Sequence, residues 1–225
     1  MLTWNEIDTR LSSFLDDTSD VKATWPTRQR IDAWNLAQSV LSNHTARESS
    51  AELAVDRNRR SAVLPGDFME ASMLYDPAAG MFYHQANFHH GGVRWDDDEN
   101  YTYWTWGSVM YLERSVSFSE KLTLYYFAHW PSVEYSETGG AITVTKSDVL
   151  IPSWAELPLL HLTAGTLLQP HAVTSAMNRE YNITIDSGKP IDNSRAQQSK
   201  EHFWWYAQLL ALHPAQSRIG GIAKR

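Results

Sequence analysis

The histidines and carboxylates between His84 and Glu99 are the densest set of side chains here that could hold an ion. Imidazole suits transition metals, and carboxylate suits calcium or magnesium. The spacing argues against both. His89 and His90 are adjacent, which in a strand sends them to opposite faces. Asp96-Asp97-Asp98-Glu99 lacks the alternating ligands and the glycine of a calcium loop. The expectation is a solvated loop, with no metal and no cofactor. The chain contains no cysteine, so thiolate sites and disulfides are excluded.

Catalytic patterns are equally sparse. There is no Gly-x-Ser-x-Gly elbow and no His-Glu-x-x-His helix. Gly188-Lys189 lacks the preceding glycine and the following hydroxyl residue of a phosphate loop. Glu113, Glu120 and Glu134 are carboxylates of the kind that pair in glycosidases, but nothing in their spacing sets up an acid and a base. Asn43-His44-Thr45, Asn100-Tyr101-Thr102 and Asn182-Ile183-Thr184 match the glycosylation pattern, which means little without a secretory signal, and Met1-Leu2-Thr3-Trp4-Asn5-Glu6 does not begin one. No catalytic residue is assigned, and the chain is expected not to be an enzyme.

Tryptophan is what stands out. The chain has ten among 225 residues, while its 43% hydrophobic and 20% charged content is ordinary for a globular protein. Tryptophan buries large areas and is enriched where proteins meet. In Tyr101-Thr102-Tyr103-Trp104-Thr105-Trp106 the rings suit either sugar stacking or a covered core or subunit interface, and the covered reading is preferred. Trp204 and Trp205 are adjacent. On a helix such neighbours point about 100° apart, so with Phe203 they make a wide aromatic band. The net charge of -7 repels a DNA backbone. No run of about 18 apolar residues is present, so no membrane-spanning helix is expected.

These residues need elements to hold them. Thr3 and Glu6 predict a capping box opening a helix whose face is Trp4, Ile7, Leu11, Phe14 and Leu15. A second helix follows Trp25-Pro26, capped by Thr27, with Ile31, Trp34, Ala37, Val40 and Leu41 on one side. From about residue 51 the period changes to that of strands. Asp76 to Gly80 reads as a hairpin turn and Thr138-Gly139-Gly140 as another. Tyr101 to Arg114 and Leu122 to Trp130 are the strongest strands, the second apolar on both faces as if covered on both. Ser153 and Glu156 predict a second capping box before Leu157, Leu160, Ala164, Leu167 and Leu168, with Pro158 tolerated in the first turn. A polar connection follows at 181–192, and a last helix spans 194–212.

The expected class is α+β: a helical bundle from N- and C-terminal helices with an inserted antiparallel β-sandwich or barrel. Residues 1–50 and 150–213 would form the bundle, 51–149 the β-rich domain, and 214–225 a flexible basic arm.

Several motifs recur in a familiar order: Ile31-Asp32-Ala33-Trp34-Asn35-Leu36-Ala37, Leu64-Pro65-Gly66-Asp67, the strand Leu122 to Ala128 leading into His129-Trp130-Pro131, and the helix entry Leu150-Ile151-Pro152-Ser153-Trp154. Over residues 3 to 170 the chain resembles the head-to-tail adaptor (connector) proteins of tailed bacteriophages. It departs from them in the acidic aromatic segment Trp95 to Trp106 and in the tryptophan-heavy last helix.

The resemblance implies a structural virion protein of the neck between capsid and tail, assembled in the host cytoplasm. Its subunits would form a ring, commonly of twelve, meeting the portal protein on one side and a tail or nozzle protein on the other. DNA would pass through without sequence-specific binding, and no membrane is involved. On this reading Phe203, Trp204, Trp205, Arg218, Ile219, Ile222, Lys224 and Arg225 contact the portal or a neighbouring subunit, and the acidic loop Asp96, Asp97, Asp98 and Glu99 faces the channel. The alternatives are another tail or baseplate protein, or a carbohydrate-binding module using Tyr103, Trp104 and Trp106.

Overall fold

The computed structural model describes residues 2–17, 24–56, 59–86, 88–89, 92–93, 102–112, 121–169 and 194–213. In chain order these form β1 (Leu2–Thr3), α1 (Trp4–Phe14), α2 (Thr27–His44), β2 (Arg47–Ala54), β3 (Ser61–Val63), β4 (Phe68–Asp76), β5 (Met81–Gln85), β6 (Phe88–His89), β7 (Gly92–Val93), β8 (Thr102–Trp106), β9 (Val109–Leu112), β10 (Lys121–Ala128), β11 (Glu134–Thr138), β12 (Ala141–Lys146), β13 (Asp148–Val149), a 3-10 turn (Ser153–Ala155), α3 (156–169) and α4 (Ser194–Ala211). The chain divides into two compact units. One is built from Met1–Thr45 and Trp130–Gln216, the other on Ala46–His129.

In the first unit, α1 starts as its sequence predicts. The Glu6 amide donates to Thr3 Oγ1 at 3.4 Å, and the Thr3 amide donates to Glu6 Oε2 at 2.8 Å. That backbone donor holds the Glu6 carboxyl below the usual range. α2 starts differently: Thr27 lies inside the helix, and Pro26, at the cap, offers no hydroxyl. The expected Ser153–Glu156 box is also absent, because Pro152 is the cap of the 3-10 turn and Glu156 is drawn instead to Arg10 of α1. Pro158 sits in the first turn of α3, where a missing N–H leaves no intrahelical bond unmade.

Trp4, Ile7, Leu11, Ile31, Trp34, Leu41, Leu159, Ala164 and Leu168 make the core of this unit. Tyr135, Ile142 and Val144 of the β11–β12 hairpin pack on it as well. The hairpin turns at Gly139 and Gly140, with φ of 60° and 84°. Both residues of this two-residue loop therefore have positive φ, as a type I′ turn requires. Leu2 pairs with Val149, and Thr3 with Asp148. A charged contact is enclosed between the first two helices: Arg30 Nη1 lies 3.2 Å from Asp8 Oδ1 and donates to Ser12 Oγ at 2.7 Å. Burial pushes the Asp8 carboxyl up, and Arg30 pulls it part of the way back.

Two of the motifs act as joints. Asn35 Nδ2 donates to the Val133 carbonyl at 3.0 Å, and Asn35 Oδ1 accepts from the Val133 amide at 2.9 Å. This fastens α2 to the chain just after Pro131. In the second unit, Asp67 accepts from Arg47 Nη2 at 2.7 Å and from the Tyr126 hydroxyl at 2.9 Å, and its carbonyl accepts from the His129 amide at 2.8 Å.

The second unit is built on a sheet of seven strands in the order β2-β10-β4-β5-β8-β9-β3, with β6 and β7 as a separate short pair. Its edge strands are consecutive in the chain. Flat, seven strands would hold their edges ~29 Å apart at ~4.8 Å per step, whereas the link from Ala54 to Ser61 reaches at most ~25 Å. The sheet must therefore curl. At one corner Asp56 and Ser61 form an antiparallel bridge, the Asp56 amide donating to the Ser61 carbonyl at 2.9 Å. The concave side gathers Leu53, Leu74, Tyr103, Met110, Leu122, Leu124 and Tyr126 as a second core.

The expected bundle with an inserted sandwich or barrel is thus overturned: the described residues form a mixed α+β protein with four α-helices and a large curled sheet. Three physical reasons account for it. First, the curled sheet builds a core from its own inner face and needs no second sheet. Along β10, Leu122, Leu124, Tyr126 and Ala128 are buried, while Tyr125 on the other face is 39% exposed, so apolar character there does not mean burial. Second, the sheet is not wholly antiparallel, since β5 and β8 run parallel through His84–Thr102 and Gln85–Tyr103. Third, the helical unit is no pure bundle, because a hairpin forms part of its core. The segment read as one strand, Tyr101 to Arg114, contains a hairpin whose loop is Gly107-Ser108, with Gly107 at φ 58°.

Candidate interaction site

α4 lies on the first unit with only Leu210 packed against its main core. What holds it is a close approach to α3 at a glycine. A Cβ placed on Gly165 would meet the Phe203 ring at 3.2 Å. Beside it the buried Ser199 hydroxyl donates to the Gly165 carbonyl at 2.8 Å. Glycine weakens a helix interior, and here its bare backbone admits an aromatic ring and a hydroxyl. A branched side chain must push the ring away, so Gly165→Val is expected to weaken α4 docking by about 1–3 kcal/mol. Hydrogen exchange should show faster exchange of α4 amides with those of α2 unchanged.

The ends of α4 are tied by rings. The Arg195 guanidinium lies 5.9 Å from the centre of the Trp25 ring, whose Nε1 donates to the Leu167 carbonyl at 3.1 Å. Just beyond the other end, the His213 ring stacks on Trp154 at 4.2 Å, and His44 Nε2 meets the His213 carbonyl at 2.6 Å.

Between these ends runs a cluster of aromatic rings from three helices. Phe14 meets His161 edge-on at 5.1 Å, and His161 and His202 face each other with Nδ1 atoms 2.9 Å apart. Trp205 stacks over His161 at 6.3 Å, and Trp204 stands edge-on to Trp205 at 4.8 Å. Burial, and then the charge of His202, pushes the His161 imidazole down to about 4. Burial also lowers His202, against the pull of Glu201. The cluster opens outward: Trp204 is 55% exposed and Trp205 48%. The arrangement can bind an apolar or aromatic partner surface.

The structure brings Phe203, Trp204 and Trp205 together on α4, Phe203 turned to Gly165 and the tryptophans outward. Arg218, Ile219, Ile222, Lys224 and Arg225 lie outside the described residues, as do Asp96, Asp97, Asp98 and Glu99. Of the loop from His84 to Glu99, His84 is exposed on β5. Among the described residues no three His, Asp or Glu side chains gather as a metal would need. Glu134 lies 3.5 Å from Lys146. Tyr103 is buried, whereas Trp104 stacks on Tyr111 at 5.6 Å and Trp106 is 74% exposed. The pleat sends Tyr103 into the core and Trp106 to the open side, so the core does not cover Trp106.

Sequence reasoning missed His161, His202, Gly165 and Ser199. One signal was available: an isolated glycine inside an apolar helical stripe marks a close backbone approach. No described helix is long and apolar enough to cross a membrane. The chain matches no protein-family model and no curated protein.

Proposed function

We propose that this chain is a structural subunit of a phage head-to-tail adaptor ring, joined to the portal or to a neighbouring subunit through the outer face of α4. The observation that carries the reading is the pair Trp204 and Trp205, about half exposed on a helix anchored from its other side. Adjacent exposed tryptophans are costly to leave in water and are the side chains most enriched at binding hot spots. The motifs that resemble the adaptors support it too. Asn35 and Asp67 fasten segments of backbone to one another, as architectural residues would. Repeated around a ring, the charge of -7 would line a passage that DNA traverses without sticking.

The test is assembly. The purified chain, alone and mixed with the portal protein, is expected to give ring particles by mass measurement and symmetry-averaged electron microscopy. Trp204→Ala with Trp205→Ala is expected to weaken that association at least a hundredfold, since hot-spot truncations cost about 2–4 kcal/mol each, and to leave the circular dichroism unchanged. A monomer under both conditions, or undiminished assembly by the double variant, would sink the proposal. A second reading, a sugar-stacking face on the sheet, rests on Trp106, and a glycan array with Trp106→Ala as control separates the two.

A further inference from the structure

We propose that the His161–His202 contact is an acid-released latch, which holds α4 on α3 near neutral pH and frees it as the solution is acidified. The inference does not depend on the assembly proposed above.

Two Nδ1 atoms 2.9 Å apart require one ring to donate and the other to accept. When both rings are protonated, each Nδ1 carries a hydrogen and no acceptor remains. The contact then becomes two cations facing each other. Among the described residues, only Glu201 favours the charged form, and its pull on His202 does not overcome burial. α1 presents the Phe14 ring, and its charged Arg10 is already engaged by Glu156 of α3. On α4 itself, Trp205 lies over His161, and the neighbouring Glu201 accepts from Gln197 Nε2 at 3.2 Å. Beyond the latch, α4 is held by Ser199 and Phe203 at Gly165, by Arg195 on Trp25, by Leu210, and by His213 against Trp154 and His44. A helix with so few buried apolar anchors belongs to the parts of a protein that open at low cost.

The direction of the pH effect follows from burial. Both imidazoles are pushed below their ordinary value of 6.5, His161 to about 4. The undocked helix therefore takes up protons first. Docking is fully supported above pH 6.5 and is lost as the pH falls from there towards 4. Allowing for screening at a half-exposed pair, α4 opening should rise roughly tenfold to a hundredfold across that window.

The experiment is hydrogen exchange on the full chain at about pH 7 and about pH 4.5, corrected for intrinsic rates, comparing α4 amides with those of α2. The expected result is that rise in α4 opening with α2 changing less than about twofold. In His161→Phe with His202→Phe, which keeps the rings and removes the protons, α4 should respond to acid no more than α2 does. Histidine and tryptophan neighbours at the ends of α4 remain in that variant, so an unchanged acid response there would overturn the latch. Equal α4 protection in the native chain at both pH values would do the same. Should the variant fail to fold, imidazole NMR titration of the native chain decides: two rings titrating well below 6.5 support the latch, and ordinary titration of both overturns it.

Discussion

Trp34→Ala is expected to destabilise the helical unit by about 3–5 kcal/mol, the range for an aromatic residue deleted from a closed core. Trp34 is wholly buried and stands edge-on to Trp4 at 6.5 Å, where α1 and α2 meet. Guanidinium unfolding followed by the helical circular dichroism reads the effect, since every described helix belongs to this unit. A control sharpens it. The Trp34 indole N–H is buried without a hydrogen-bond partner, so Trp34→Phe removes an unsatisfied donor together with some volume. It should cost less than about 2 kcal/mol, because losing that donor offsets part of the cavity. Equal losses for alanine and phenylalanine would show that the site tolerates no change of shape, whatever the polarity.

The second large effect belongs to Asn35. Its side chain both gives to and takes from the backbone of Val133, a residue only 2% exposed. Asn35→Leu, of nearly the same size, leaves that amide and that carbonyl unpaired, at about 1–3 kcal/mol for each buried polar group. A total of roughly 2–4 kcal/mol is expected in the same unfolding experiment. Asn35→Asp keeps an acceptor for the Val133 amide and should fall between the native chain and the leucine variant. A leucine variant as stable as the native chain would remove Asn35 as the joint between α2 and the segment after Pro131.

Much of the local structure was legible from residue patterns. The Thr3–Glu6 box, the strand from Leu122 to Ala128 and the turn at the paired glycines 139 and 140 each act through chemistry within a few residues, and each forms. The strand, however, is not covered on both faces as expected. What escaped depends on distant partners. Glu156 has a capping spacing from Ser153, but Arg10 lies 146 positions earlier and draws it away. The curl of the sheet follows from joining β2 to β3 across its edges, which no window of sequence contains. The interaction face divides in the same way. Trp204 and Trp205 announce an aromatic band by type and adjacency, whereas the pairing of His161 with His202 exists only once α4 lies on α3.

The order in which the first unit is assembled has a bearing on how the chain is made. Leu2 and Thr3 find their strand partners at Val149 and Asp148, and the Trp4 amide its acceptor at Ser147. A chain leaving the ribosome N-terminus first therefore has the apolar faces of α1 and α2 only partly covered, by each other, until α3 has emerged, while the whole of Ala46–His129 is already synthesised. Leu2, Thr3 and Trp4 are thus translated well before the segments that enclose them. Nascent chains stalled before α3 should accordingly hold a chaperone bound to Trp4, Ile7, Ile31 and Trp34, and should release it when residues up to 169 are free.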